Sequence, residues 1–407
     1  MILKVKDENG QFKEVVLKGL KGDRGEDGTV LQQKEIDSIK TSLDNMTHVI
    51  SLNESIMDYS ELINKAIVNG VKNIKLGSGK FRIDNSIILC KNVQISGNGD
   101  DTVLYVEKDI PIFTTNSENN TENEDIKIKN IKLENLTTNS MNNNFHIQLC
   151  NTRRLLIDRV YIYSSNNNID SNVGIYLFSD GTLEPPNGSF LGKIQNCTLA
   201  NCKIKMGITD SYITNTEVWG VNRDYAIKLE KGSQHINSCQ IVGGKKYGAV
   251  YVKNEDGNTV DMVRISNTFF DGSYSFIDSG IGLNAFNMIS SSITNCSFWN
   301  QMDEGIKLTN CYSNTITGNN FENNNRRDDG KQDIFITSEP NTQGKNIITS
   351  NTFIRWMNNT NKTSAIKIVG SIKNIISNNT LYENSQYNSC NIEIDNSLDN
   401  YCENGVL

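Results

Sequence analysis

The 407-residue sequence is short of the residues that build most metal and disulfide sites. Its three histidines, His48, His146 and His235, are too scattered for a zinc site. Its nine cysteines are odd in number and contain no Cys-x-x-Cys pair, so they are read as reduced core residues. No apolar run is long enough to span a bilayer. Met1–Gly10 lacks the basic and apolar regions of a secretory signal peptide. Positive charge is not in excess: the net charge is -7 and the pI about 5.2, which argues against nucleic acid or an anionic membrane as partner. Hydrophobic content is 37% and mean hydropathy -0.45, low for one globular core. A solenoid tolerates this, because its core is a thin tube with much surface. Hairpin dipeptides are nearly absent between the apolar phrases, unlike the pattern of a β-sandwich.

What the sequence has is a phrase repeated ten times. An isoleucine leads it: Ile128, Ile157, Ile194, Ile213, Ile236, Ile265, Ile293, Ile316, Ile348 and Ile376. Three residues on stand Ile131, Val160, Cys197, Thr216, Cys239, Thr268, Cys296, Asn319, Asn351 and Asn379. Five residues on stand Leu133, Ile162, Leu199, Val218, Ile241, Phe270, Phe298, Phe321, Phe353 and Leu381. Positions +3 and +5 share a strand face, whereas position 0 has the other parity. The chain must therefore turn a corner between 0 and +3. The abundant asparagines suit such corners, since Asn tolerates left-handed backbone.

A second phrase, a short residue followed by apolar, any, apolar, recurs as Gly174–Leu177, Ala226–Leu229, Ala249–Val252, Gly305–Leu308, Asp333–Ile336, Ala365–Ile368 and Asn391–Ile394. Each repeat is thus several short strands joined by corners, and repeats of this kind stack. The fold expected is all-β, a parallel β-helix with coils about 4.8 Å apart. Phe270, Phe298, Phe321 and Phe353 then fill one interior column.

The N-terminal part differs. Residues 1–30 form an attachment segment: alternating apolar residues around Asn9-Gly10 predict a hairpin, and Gly19, Gly22, Gly25 and Gly28 fall at every third position, as in collagen. A flexible linker is the alternative for the triplets. In residues 31–57, Ile36, Leu43, Ile50 and Met57 with Ile39, Met46 and Asn53 form a heptad seam, expected as a coiled-coil stalk or one packed helix. Residues 58–70 are expected as a capping helix, with Asp58 and Glu61 in a capping-box pattern and Gly70 after its end. It would cover the open end of the β-helix over 71–407.

The run Asp58–Ile67, then Ile74–Ile83, then Ile95–Gly99, resembles the opening of the pectate-lyase-like β-helix superfamily, shared with bacteriophage tailspikes. Ser78 stands where that family usually has proline. The resemblance implies a right-handed, single-stranded β-helix in a homotrimeric virion protein. It would be made in the host cytoplasm, joined to other tail or baseplate proteins through its N-terminus, and bound to a bacterial surface glycan. It is weak for activity, because the superfamily includes lyases, hydrolases, epimerases and pure binders.

Glycan chemistry needs flat apolar faces under sugar rings and carboxylates to move protons. Position +6 supplies both, with Trp219, Val242, Asp271, Trp299, Glu322, Ile354 and Tyr382 in successive coils. Asp271 and Glu322 are the candidate catalytic pair, about 9–10 Å apart at two coils; inverting glycosidases hold theirs about 6.5–9.5 Å apart. Solvated surface carboxylates are the plain alternative. Trp219 and Trp299 are candidate sugar platforms, or packing sites for a neighbouring subunit. Arg223, Lys307 and Tyr251 are further candidate substrate contacts; Lys307 and Tyr251 lie in an outward column of alternating lysines and aromatics that suits an acidic polysaccharide or a trimer face. No tight aspartate cluster of the calcium-dependent lyase kind is visible, so no metal or cofactor is expected. The expected function is binding of a bacterial surface polysaccharide with glycoside hydrolysis. A non-enzymatic tail fibre and a polysaccharide lyase are the alternatives.

Overall fold

A computed structural model of the chain describes residues 2–6, 12–16, 47–53, 56–116, 123–137, 145–165, 172–180, 190–220, 223–272, 280–355, 363–382, 392–395 and 399–403. The chain divides into two units, 1–45 and 46–407. In the first, Ile2–Lys6 pairs antiparallel with Phe12–Val16, the hairpin expected from the alternation. The collagen-like triplets and the heptads up to Met46 lie outside the described residues.

The second unit is a stack of coils with three parallel sheets. In sheet I the ten leading isoleucines stand in one ladder, from Ile128 beside Ile157 to Ile348 beside Ile376. In sheet II the +5 residues do the same, from Leu133 beside Ile162 to Phe353 beside Leu381. Sheet III has twelve strands, from Ile87–Leu89 to Ile392–Asp395, and the second phrase builds most of it.

The corner between sheets I and II falls at position +2, where the backbone is left-handed in every repeat. Asn130, Asn196, Asn215, Asn267, Asn295 and Asn378 have φ between 48° and 53° there. Arg159, Ser238, Ser350 and Gly318 fill the other copies with the same sign of φ. Asparagine is favoured because its short polar side chain offsets the cost of left-handed backbone. This single residue changes the face parity, so residue 0 and residue +5 both point inward.

Like then stacks on like. The rings of Phe270, Phe298, Phe321 and Phe353 follow one another at 4.4, 4.9 and 4.9 Å, tilted by 14° or less. In the +3 column Cys197, Cys239 and Cys296 alternate with Thr216 and Thr268, whose hydroxyls receive the amides of Cys197 and Cys239. Burial pushes the Cys197 and Cys296 thiols up to about 12, so they stay protonated. Among the described residues every cysteine is a free thiol.

Past Cys296 the column becomes an asparagine ladder. The amide N–H of Asn319 donates to Oδ1 of Asn351 at 3.0 Å, and that of Asn351 to Asn379 at 3.0 Å. Each Nδ2 repeats the link, 3.0 Å to the same oxygen. A second ladder, Asn314, Asn346, Asn374 and Asn400, runs parallel to it. Corner amides that a β-ladder leaves unpaired are satisfied inside the tube in this way.

Two N-terminal expectations need correction. Thr47–Ile50, assigned above to the end of the heptad stalk, is a strand paired in parallel with Asn73–Leu76. Ile50 enters the core while Val49 stays exposed, and the backbone pairing with Asn73–Leu76 overrides the heptad spacing. The capping helix spans Ser60–Val68, but Asp58 and Glu61 form no capping box. The Asp58 carboxylate instead accepts from the Ser60 amide at 2.9 Å and from the Asp84 amide at 3.0 Å, tying the helix to the first coil. The lid role holds. Ile63, Ala66 and Ile67 enter the core, and Asn64 brackets the exposed edge of sheet III. Its Oδ1 accepts from the Ile88 amide at 2.8 Å, and its Nδ2 donates to the Ser86 carbonyl at 2.9 Å.

One buried histidine adds a pH term. His146 is fully enclosed, with Nε2 2.8 Å from the Tyr163 carbonyl, and burial lowers its pKa to about 4. The unfolded chain protonates this histidine below about pH 6.5, whereas the folded chain resists until about pH 4. Its contribution to stability is therefore lost as the pH falls through that window, by roughly 3 kcal/mol at most. The stability margin of wild type over His146→Gln in urea should shrink between pH 7 and pH 5; a constant margin refutes the assignment. Phe298→Ala, which removes the middle of the ring stack, should cost about 3–5 kcal/mol in the same measurement.

Candidate functional site

The outward faces of sheets II and III carry different chemistry. On sheet II, position +6 runs in register as Ala200, Trp219, Val242, Asp271, Trp299, Glu322 and Ile354. Asp271, Trp299 and Glu322 occupy consecutive rungs, so the indole lies between the two carboxylates. Two rungs separate Asp271 from Glu322 by about 9–10 Å at the backbone. All three side chains are half-buried. Phe269, on the same outward face, stacks against Trp299 at 6.0 Å and widens the apolar platform. Trp219 lies two rungs from Asp271, with buried Val242 between them.

The outward column of sheet III runs as Tyr176, Lys205, Lys228, Tyr251, Asn284, Lys307, Phe335, Lys367 and Glu393. Ammonium groups lie over neighbouring rings: Lys205 4.6 Å from Tyr176 and Lys307 5.8 Å from Phe335. Around Lys228 and Tyr251 the face sinks into a cavity of about 330 Å³. Its floor holds the ion pair Lys203–Asp224, 2.8 Å, with Lys203 only 3% exposed. The Lys203 ammonium also lies 4.8 Å from the Tyr225 ring.

Tyr247 walls the cavity and stacks on Tyr251 at 4.8 Å. Its position depends on Gly248, whose φ is +113° and where a Cβ would come 2.8 Å from the Ile281 carbonyl oxygen. Lys228 forms an ion pair with Glu230 at 2.9 Å and donates to Glu255 at the mouth. Burial disfavours the Lys228 ammonium, but the bonds to Glu255 and Glu230 outweigh it and raise its pKa. The Lys228 bond holds the Glu255 carboxyl below its usual range. Burial first, then Asp224, pushes the Tyr225 phenol well up, so it stays protonated.

The candidates named from the sequence thus separate. Asp271, Trp299 and Glu322 share one row with Trp219 further along it, and Tyr251 and Lys307 lie on the other face. Arg223 is corrected: it is wholly buried at the turn after sheet II, its guanidinium donating to Asn201 Oδ1 at 2.6 Å, so it offers nothing to a ligand outside. Lys203 went unnoticed because the stretch Cys202–Met206 lacks the short residue that opens the second phrase. Glu255 lies past the strand, where spacing gives no signal. Among the described residues no cluster of three or more His, Cys, Asp or Glu side chains is placed to hold a metal. Nor, among them, is any helix long and apolar enough to cross a membrane.

Comparison with known proteins agrees with this geometry. Residues 207–360 match the family model described as a right handed beta helix region. The fold is a right-handed β-helix. Comparison with curated proteins by sequence gives no match. Among solved structures, the β-helix is similar to the A-module of a mannuronan C-5 epimerase from Azotobacter vinelandii, with 10% identity and TM-score 0.57, covering 88% of this chain and 97% of that one. It is similar to a DFA-IIIase from Arthrobacter chlorophenolicus A6, with 12% identity and TM-score 0.52, covering 85% and 91%. Tailspike protein 3 of bacteriophage CBA120 matches at 12% identity and TM-score 0.52, over 90% of this chain and 62% of that one. At such identities the likeness concerns the β-helix alone.

The buried pair makes a testable demand. Removing one partner strands the other as an uncompensated charge, at a cost of about 3–5 kcal/mol, whereas an apolar replacement of both is far better tolerated. Asp224→Leu alone should therefore destabilise the protein more than Asp224→Leu combined with Lys203→Met, by chemical denaturation. Equal losses would mean that the pair is not electrostatically coupled.

Proposed function

We propose that this protein is a tailspike-type β-helix that binds a bacterial surface polysaccharide and cuts it by glycoside hydrolysis on sheet II. The observation that carries the reading is the consecutive row Asp271, Trp299, Glu322. A sugar ring laid on the Trp299–Phe269 platform has a carboxyl group on either side of it along the coil axis. The two-rung separation of about 9–10 Å suits an inverting mechanism once side-chain reach is allowed for, with room for a water. One carboxylic acid gives its proton to the glycosidic oxygen as the bond to the anomeric carbon breaks. The other carboxylate takes a proton from the water that attacks that carbon from the opposite face. Trp219 extends the platform to a more distant sugar.

A homotrimer attached to a phage tail through the N-terminal segment that precedes the β-helix is part of the same proposal. Its supports are the glycine triplets and the heptad positions Ile36, Ile39, Leu43 and Met46 of the sequence, and the tailspike among the similar structures. Neither bears on the chemistry of sheet II.

Incubating the protein with purified host surface polysaccharide tests the reading. New reducing ends are expected, and Asp271→Asn should abolish them while leaving binding in place. Trp299→Ala should weaken binding about 2- to 30-fold, in keeping with about 0.5–2 kcal/mol for a stacked aromatic contact. Ultraviolet absorbance of unsaturated uronate would identify a lyase instead, and retention without cleavage would identify a binder.

A further inference from the structure

The cavity of sheet III lies on another face and takes no part in the hydrolysis proposed above. Its volume, about 330 Å³, is near the lower end of ligand pockets, about 300–1,000 Å³. That is room for one sugar ring rather than a long oligosaccharide. Its lining is almost wholly polar or aromatic, with Lys203, Asp224, Tyr225, Lys228, Tyr251 and Glu255 around it. The inner ion pair Lys203–Asp224 is buried, but the outer arrangement is not symmetrical.

The Lys228 side chain is 7% exposed, whereas Glu255, which neutralises it, is 60% exposed. Glu255 sits on an exposed arm after Lys253, in a turn closed by the Gly257 amide on the Asn254 carbonyl at 3.1 Å. A carboxylate from a solvent-side arm thus covers an enclosed ammonium at the cavity mouth. The same ammonium keeps Glu230 on its other side at 2.9 Å, so displacing Glu255 leaves it partnered. Lys253, 39% exposed, adds a second positive charge beside the mouth.

We infer that this cavity is a subsite for one hexuronate residue of the polysaccharide, whose carboxylate replaces that of Glu255 on Lys228. A planar carboxylate for a planar carboxylate keeps the hydrogen-bond geometry. The ring hydroxyls then meet the tyrosine walls and the Asp224 carboxylate. Glu255 acts as an internal competitor: it holds Lys228 satisfied while the subsite is empty and yields to a ligand that brings its own acid. The inference rests on the polysaccharide reading above and specifies its substrate as acidic.

Titration of the full chain with glucuronate, galacturonate and mannuronate, against glucose, galactose and mannose, tests it by NMR or calorimetry. At least one hexuronate should bind, and its neutral counterpart should not. Glu255→Gln should tighten that binding severalfold, because the competitor has lost its charge. Lys228→Gln should abolish it, while Lys228→Arg, which keeps charge and fold, should retain part of it. The inference is overturned if acidic and neutral sugars bind alike, if none binds, or if Glu255→Gln leaves affinity unchanged or lowers it. Cleavage of host polysaccharide that persists alongside any of these results would sink only the hexuronate subsite. Loss of polysaccharide binding altogether would sink the reading of sheet II as well.

Discussion

Everything on this molecule is positioned by one constraint: each coil must lie one hydrogen-bonded rung above the last, with residue over residue. The left-handed residue at position +2 enforces it. Asn130, Asn196, Asn215 and their counterparts turn the chain at the same point in every coil, so sheets I and II begin in phase. The inner phenylalanine stack and the asparagine ladders then lock that phase from within, one by ring contact and the other by paired amides. A slip of one residue would reverse every face of a strand. It would also break the asparagine ladder, leaving buried amides unpaired. Packing and polar satisfaction thus demand the same register, which is why it holds through ten repeats.

The outer surface inherits this order without having to create it. Because interior residues are aligned, the exterior residues next to them in the strand are aligned too, and chemistry accumulates in rows. Sheet II presents acids and flat apolar rings. Sheet III presents ammonium groups over rings, with one depression where charges pair below the surface. The two faces differ in solvation as well. In the sheet II row Asp271, Trp299 and Glu322 are half-buried, whereas Lys203 and Lys228 are enclosed and paired with Asp224, Glu230 and Glu255.

Much of the fold was legible because its cause is periodic. Ile293-x-x-Cys296-x-Phe298 states its two faces and its corner outright, and the columns read from such phrases are the ladders observed. What the sequence hid is local or three-dimensional. Thr47–Ile50 carried the heptad spacing, and pairing with Asn73–Leu76 overrode it. Asp58 looked like a helix cap, but the nearby Asp84 amide drew its carboxylate toward the first coil. For the candidate site, the row containing Asp271, Trp299 and Glu322 followed from spacing. The enclosure of Arg223 and the partners of Lys228 did not, because each depends on turns whose lengths vary from coil to coil.

That variation has a consequence for how such a molecule changes over time. The interval between leading isoleucines ranges from 19 residues, Ile194 to Ile213, to 37, Ile157 to Ile194, yet both pairs are neighbours in the same ladder. Length is thus absorbed mostly between the ladder strands. Bends could therefore be lengthened, shortened or rewritten one at a time over evolution without disturbing the inner column.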